Sequence, residues 1–169
     1  MVGTARFLGG QATPFRSVVH CAGHACRLES AVLNGEFERG GALRDLALRH
    51  TVALIAQIAQ TAVCNRLHSI EQQLCRLILS NLDRLTTHQL LADSLGVRRE
   101  SVTQAAGHLQ RAGLIDSHRG QIAVPDRSKL GARACECYGA TKKEYARLFS
   151  LEALGAVSAR RWPTFPFAA

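Results

Sequence analysis

From Ala42 to Arg66 the chain carries no proline and no glycine, and its apolar residues fall into two rows. Leu48, Val52, Ile55, Ala59, Ala62 and Arg66 are spaced 4, 3, 4, 3 and 4, the 3.5-residue repeat of a coiled-coil seam. Leu43, Ala47, Leu54, Ile58 and Val63 run beside it. The pattern predicts a long helix with one face on the body of the protein and one on another helix. A parallel dimer is the preferred reading; a buried helix of a monomer is the alternative. After a turn at Leu67-His68, Ser69 and Gln72 have the spacing of a capping box, and Ile70, Leu74, Leu77, Ile78 and Leu82 continue at helical spacing. They predict a second helix over about 70–84.

The next segment alternates helical runs with turn signals. Thr86 or Thr87 is placed to cap a helix with Leu90, Leu91 and Leu95 on its apolar side and the small Ala92 among them. Gly96 suits a left-handed stop, and Val97 suits a plug between helices. A further helix opens at Arg98-Arg99-Glu100, carries Val102, Ala105, Ala106 and Leu109, and ends at Ala112-Gly113. Leu114-Ile115-Asp116 and Gln121-Ile122-Ala123-Val124 read as strands around the turn Ser117-His118-Arg119-Gly120. Helix, tight turn, helix and hairpin in this order predict a winged helix-turn-helix. Toward the N-terminus, Gly9 to Pro14 reads as a turn and Phe15 to His20 as a short strand. Val32, Leu33 and Phe37 suggest a short helix ending near Asn34-Gly35.

Composition narrows the class. Of 169 residues, 47% are hydrophobic and only 5% aromatic, so the core is built from aliphatic residues and favours helices. The formal charge is +8, which fits a polyanionic partner. That charge is spread over the chain, so any basic surface is made by folding and not by a tail. The longest apolar stretch, Val52 to Ile58, is interrupted by Gln57 and falls short of the roughly 20 residues of a membrane span. The N-terminus does not read as a signal peptide, so a cytoplasmic, reducing location and free thiols are expected.

The chemistry expected of the helix after Gly96 is base reading. Residues at the start of such a helix reach the major groove, where every base pair has its own donor and acceptor pattern. Arg98, Arg99, Glu100, Thr103 and Gln104 are the candidate base readers. Arginine suits guanine, glutamate the cytosine amino group, and glutamine adenine, each bidentate pair contributing roughly 1–3 kcal/mol of discrimination. Thr87, Ser101, His118 and Arg119 are the candidate phosphate contacts, with Arg127 or Lys129 as further cations. His88 and His108 are expected on helix surface near the DNA.

The run from Leu85 through Leu-Gly-Val at 95–97 and Arg-Arg-Glu at 98–100 to Ala105, with the hairpin after it, resembles the C-terminal domain of Crp/Fnr-family transcription regulators. Arg133-Ala-Cys-Glu-Cys-Tyr138 resembles a subgroup of them. The resemblance spans about residues 40–148 and, more loosely, 1–39. It implies that Arg99 and Glu100 are the pair opening the recognition helix, with Gln104 standing where the cAMP receptor protein has arginine. It also implies that the helix over 40–68 is a dimerisation helix, with Leu48, Val52, Ile55, Ala59 and Ala62 at the seam, and that RNA polymerase is a possible partner. Met1-Val2-Gly3 and Arg16-Ser17 resemble pieces of the family's effector-binding β-roll. The acidic residue that would grip a ribose falls where Met1 stands, so no cyclic nucleotide is expected.

The expected protein is therefore mainly α. Residues 1–39 are a β-roll remnant, 40–68 the dimerisation helix, 69–149 the winged helix-turn-helix domain and 150–169 a loose tail. It is expected to be a homodimeric regulator of double-stranded DNA, with no membrane association and no catalytic residues. The alternative is a winged-helix protein-interaction module, or a dominant-negative dimerisation partner without its own effector response. No cofactor and no metal are expected. Cys21, His24 and Cys26 do not have the spacing of a usual zinc knuckle. Cys64 and Cys75 read as small core residues. Cys135 and Cys137, two apart, would point to different sides of a helix.

Overall fold

The computed structural model describes residues 1–10, 17, 19, 24–84, 89–91, 99–118 and 121–150. The predicted turn at Gly9 to Pro14 and strand at Phe15 to His20 lie largely outside these residues. The helix stop at Gly96 and the tail from 151 onward lie wholly outside them. The described chain is mainly helical: a 3-10 turn at Thr4–Arg6, α1 (Ser30–Glu38), α2 (Ala42–Leu67), α3 (Ile70–Leu82), β1 (Gln89–Leu91), α4 (Arg99–Arg111), β2 (Asp116–His118), β3 (Gln121–Ala123), α5 (Arg127–Arg133) and α6 (Cys137–Phe149). The chain divides into two packed units, Met1–Ile55 with the chain from Tyr145 onward, and Ala56–Glu144.

In the first unit, α1 does not stop at Asn34-Gly35 but continues to Glu38. The ring of Phe37 stacks on Phe7 at 5.1 Å between centroids, and the guanidinium of Arg44 covers it at 5.4 Å. Those contacts carry the helix through Gly35. The stop comes at Gly40, whose φ of 72° is left-handed and suits glycine. In the first half of α2, Ala47 and Ala53 are buried. Arg49 donates to the carbonyl of Leu148, and Tyr145 and Phe149 pack ring to ring at 4.6 Å.

In the second unit, α3 is the central element. Ser69 caps it, accepting from the backbone N–H of Gln72, whose side chain returns to the N–H of Ser69. The stripe Leu74, Cys75, Ile78, Leu79 and Leu82 is buried against Ala105 and Leu109 of α4, Leu114, Ile115, Ile122, Val124 and Leu130 of α5. Ile70, expected on that stripe, is 43% exposed because it lies in the first turn, ahead of the core. The three strands form an antiparallel sheet in the order β1-β3-β2. Leu90 pairs with Ile122, and Ser117 pairs with Ile122 from the other side. Leu90 and Leu91, read from the sequence as helical, thus stand in a strand. A pair of adjacent leucines has no period of its own, and the free edge of β3 offers hydrogen-bond partners to the backbone there.

Candidate nucleic-acid interface

The helix α4 sorts its residues by a clean stripe. Ala105 and Leu109 are buried four apart, and Ala106 is half-buried beside them. Thr103, Gln104, His108, Gln110 and Arg111 are exposed. The packing side therefore uses alanines and one leucine, which bring α4 close to α3 and leave the polar residues on the outside. Its C-terminus is closed by a Schellman turn. The N–H of Leu114 reaches the carbonyl of Leu109 at 2.9 Å, and that of Gly113 reaches Gln110 at 2.9 Å. Gly113 has φ of 67°, so a side chain there would strain the turn that launches the strands. Leu114 and Ile115 follow directly into the core.

Of the candidate base readers, Thr103 and Gln104 lie on the exposed face of α4, while Arg99 and Glu100 occupy its first two positions, one turn earlier. Arg98 precedes the helix and lies outside the described residues. Of the candidate phosphate contacts, Ser101 is within the first turn of α4. His118 is exposed at the end of β2, where the β2–β3 hairpin turns. Thr87 and Arg119 lie outside the described residues.

Two expected cations are engaged elsewhere. The guanidinium of Arg127 bonds Asp83 and donates to the Tyr138 hydroxyl at 3.2 Å, and that hydroxyl donates to the other Asp83 oxygen at 2.9 Å. The bond to Tyr138, and then the charge of Asp83, raise the pKa of Arg127. This network ties the start of α5 to α6 and the end of α3, which gives Arg127 a structural role. Lys129 lies 3.4 Å from Asp126 and is largely exposed. His108 is exposed but is held by Glu71 of α3, with Nδ1 at 2.8 Å from Oε1. That pair fixes the outer side of α4 to α3.

One residue of this face escaped sequence reasoning. Arg111 is exposed in the last turn of α4, its Nε donating to the carbonyl of Gly107 at 3.3 Å. It stands two turns after Gln104, so the signal was its helical period alone. Cys75, by contrast, offers no reactive thiol. Burial, followed by the nearby Glu71, pushes it up to about 11, which keeps it protonated.

Residues 61–133 match the family model of the Crp-like helix-turn-helix domain. No curated protein and no solved structure matches the chain. The match covers the end of α2, all of α3, the three-stranded sheet, α4 and α5. Residues 61–133 of the chain are thus a helix-turn-helix domain of the Crp-like type.

Proposed function

We propose that the chain is a sequence-specific transcription regulator that binds double-stranded DNA as a homodimer, with α4 in the major groove. The observation that carries this reading is the division of α4, within a Crp-like helix-turn-helix domain, into a buried alanine–leucine stripe and an exposed face bearing Thr103 and Gln104. Arg99 and Glu100 open the same helix, and His118 with Arg119 would touch phosphates from the hairpin. Phosphate contacts position the protein and base contacts select the sequence.

Dimerisation is supported by α2. All five seam residues, Leu48, Val52, Ile55, Ala59 and Ala62, are exposed in the single chain. By length and composition alone α2 is also apolar enough to cross a membrane. A second copy is the better occupant of this seam, because the 3.5-residue spacing is the one that two helices need to interdigitate and lipid does not require it. Two paired α2 helices would set two recognition helices about one turn of DNA apart.

A mobility-shift assay on random duplex DNA at low salt tests the reading. Retardation that weakens steeply with salt is expected. Replacing Glu100 or Gln104 by alanine should relax base preference, while Arg119→Ala should weaken all sequences alike. No retardation at micromolar protein would favour the interaction-module alternative.

A further inference from the structure

Four metal-binding side chains converge within the unit Ala56–Glu144. Cys64 and His68 are one helical turn apart at the end of α2, where the N–H of His68 still bonds the carbonyl of Cys64 at 3.0 Å. Cys135 and Cys137 come from the junction of α5 and α6. On a continuous helix two residues two apart would point to different sides. Ala134 instead takes an extended conformation that ends α5, and Cys135 lies ahead of the first residue of α6. The two thiols therefore converge. One ligand atom from each of the four residues lies within 4.8 Å of all the others.

The separations suit a single tetrahedral ion. With metal–sulfur bonds of about 2.3 Å and metal–nitrogen bonds of about 2.05 Å, sulfurs sit about 3.8 Å apart and sulfur and nitrogen about 3.6 Å apart. Here Cys64 Sγ is 3.5 Å from Cys135 Sγ, and Cys137 Sγ is 3.5 Å from His68 Nδ1. A polynuclear cluster, with its bridging sulfides, would force the four ligands apart.

The surroundings match the demands of such an ion. Cys64, Cys135 and Cys137 are 0%, 4% and 1% exposed and form a small core of their own. The outer imidazole nitrogen of His68, Nε2, bonds Glu136 Oε1 at 3.1 Å, which turns Nδ1 toward the thiols. The Gln60 amide donates to Cys137 Sγ at 3.0 Å, a bond that a thiolate accepts well. Gln73 donates to the carbonyls of His68 at 2.8 Å and Cys64 at 3.4 Å, fixing the backbone that carries two ligands.

We propose that Cys64, His68, Cys135 and Cys137 bind one zinc ion in a closed Cys3His site that fastens the end of α2 to the turn between α5 and α6. Three sulfurs and one nitrogen are a donor set that suits tetrahedral zinc, and four protein ligands would leave no open position for catalysis. Each thiol releases its proton to solvent as its sulfur–zinc bond forms, and zinc keeps its oxidation state. The ion would hold the last turns of α2 to the turn between α5 and α6.

The test uses the full chain, reduced and purified without chelator. Elemental analysis should find about one zinc per chain. Cobalt added to metal-free protein should give thiolate-to-cobalt charge-transfer absorption with the intense visible bands of a tetrahedral ion. Cys137→Ala and His68→Ala should lose that spectrum, whereas His68→Cys, which restores a fourth ligand, should keep a tetrahedral one. The double variant Cys21→Ser/Cys26→Ser should keep the zinc. Trace zinc and no charge-transfer band in protein shown to be folded by circular dichroism would overturn the proposal. So would a Cys64–Cys135 disulfide in freshly prepared protein, or loss of metal in the Cys21/Cys26 variant alone.

Discussion

Replacing Ile55 by alanine should weaken self-association without loosening the fold. Ile55 lies at the middle of the seam and is 62% exposed in the single chain. Fully burying an isoleucine contributes about 1.5–3 kcal/mol, so covering the exposed share would contribute about 1–2 kcal/mol. A two-fold pair buries it twice, giving about 2–4 kcal/mol per dimer, or roughly a 30- to 700-fold rise in Kd. The figure is an upper range, because alanine retains one carbon of the side chain. Sedimentation velocity over a concentration series reads the constant directly. The control is Leu46→Ala. Leu46 is 40% exposed but two residues before Leu48, on the other side of α2. If Ile55→Ala leaves the association constant unchanged, or if Leu46→Ala changes it equally, the seam is not the dimer contact.

Other outcomes follow from single contacts. Ser69→Ala removes the capping bond of α3 and should lower unfolding free energy by about 0.5–2 kcal/mol in a denaturant titration. Leu109→Ala opens a cavity between α4 and α3 at a fully buried site and should cost about 2–5 kcal/mol by the same measurement. Asp126 caps α5, and the backbone N–H of Lys129 chiefly holds its carboxyl below the usual carboxylate range. Its contribution to stability is therefore present above the unfolded-state value and is lost as pH falls through the lower folded value; Asp126→Asn should flatten that acid limb of the stability curve. Arg119→Ala should reduce the slope of log affinity against log salt by about 0.9, as expected for one lost phosphate contact.

The spans of α2, α3 and α4 are legible because each is a long run without proline. In α3 and α4 the buried stripe also has the period the sequence shows, whereas the residues buried in α2 are Ala47, Ala53 and Cys64, and both its seam and Ile58 and Val63 of its second row are exposed. The α2 seam, the Ser69 capping box and the alanine–leucine stripe of α4 are all local patterns. The end of α1 was misread at Gly35 because the contacts that carry the helix to Glu38, with Phe7 and Arg44, come from other segments. Leu90-Leu91 reads as helix in the sequence because a strand of three residues is decided by its partner β3, where Leu90 pairs with Ile122, and not by its own sequence. The partners of Arg127, Asp83 and Tyr138, come from distant parts of the chain and so carry no local signal in the sequence. The Cys3His cluster was hidden for a related reason. The spacing of Cys64 and His68 is visible in the sequence, but the break at Ala134 that turns Cys135 toward them is a matter of tertiary packing.

Selection of bound sequences from random duplex DNA reads both the base preference of α4 and the symmetry of the site. Two inverted half-sites with centres about one helical turn apart should be enriched, because a homodimer of the proposed kind would present its two α4 helices with two-fold symmetry. Glu100→Ala or Gln104→Ala should change the enriched bases within each half-site and leave their spacing intact. Recovery of unselected DNA, or of one asymmetric motif without a partner half-site, would contradict a dimer that reads DNA through α4.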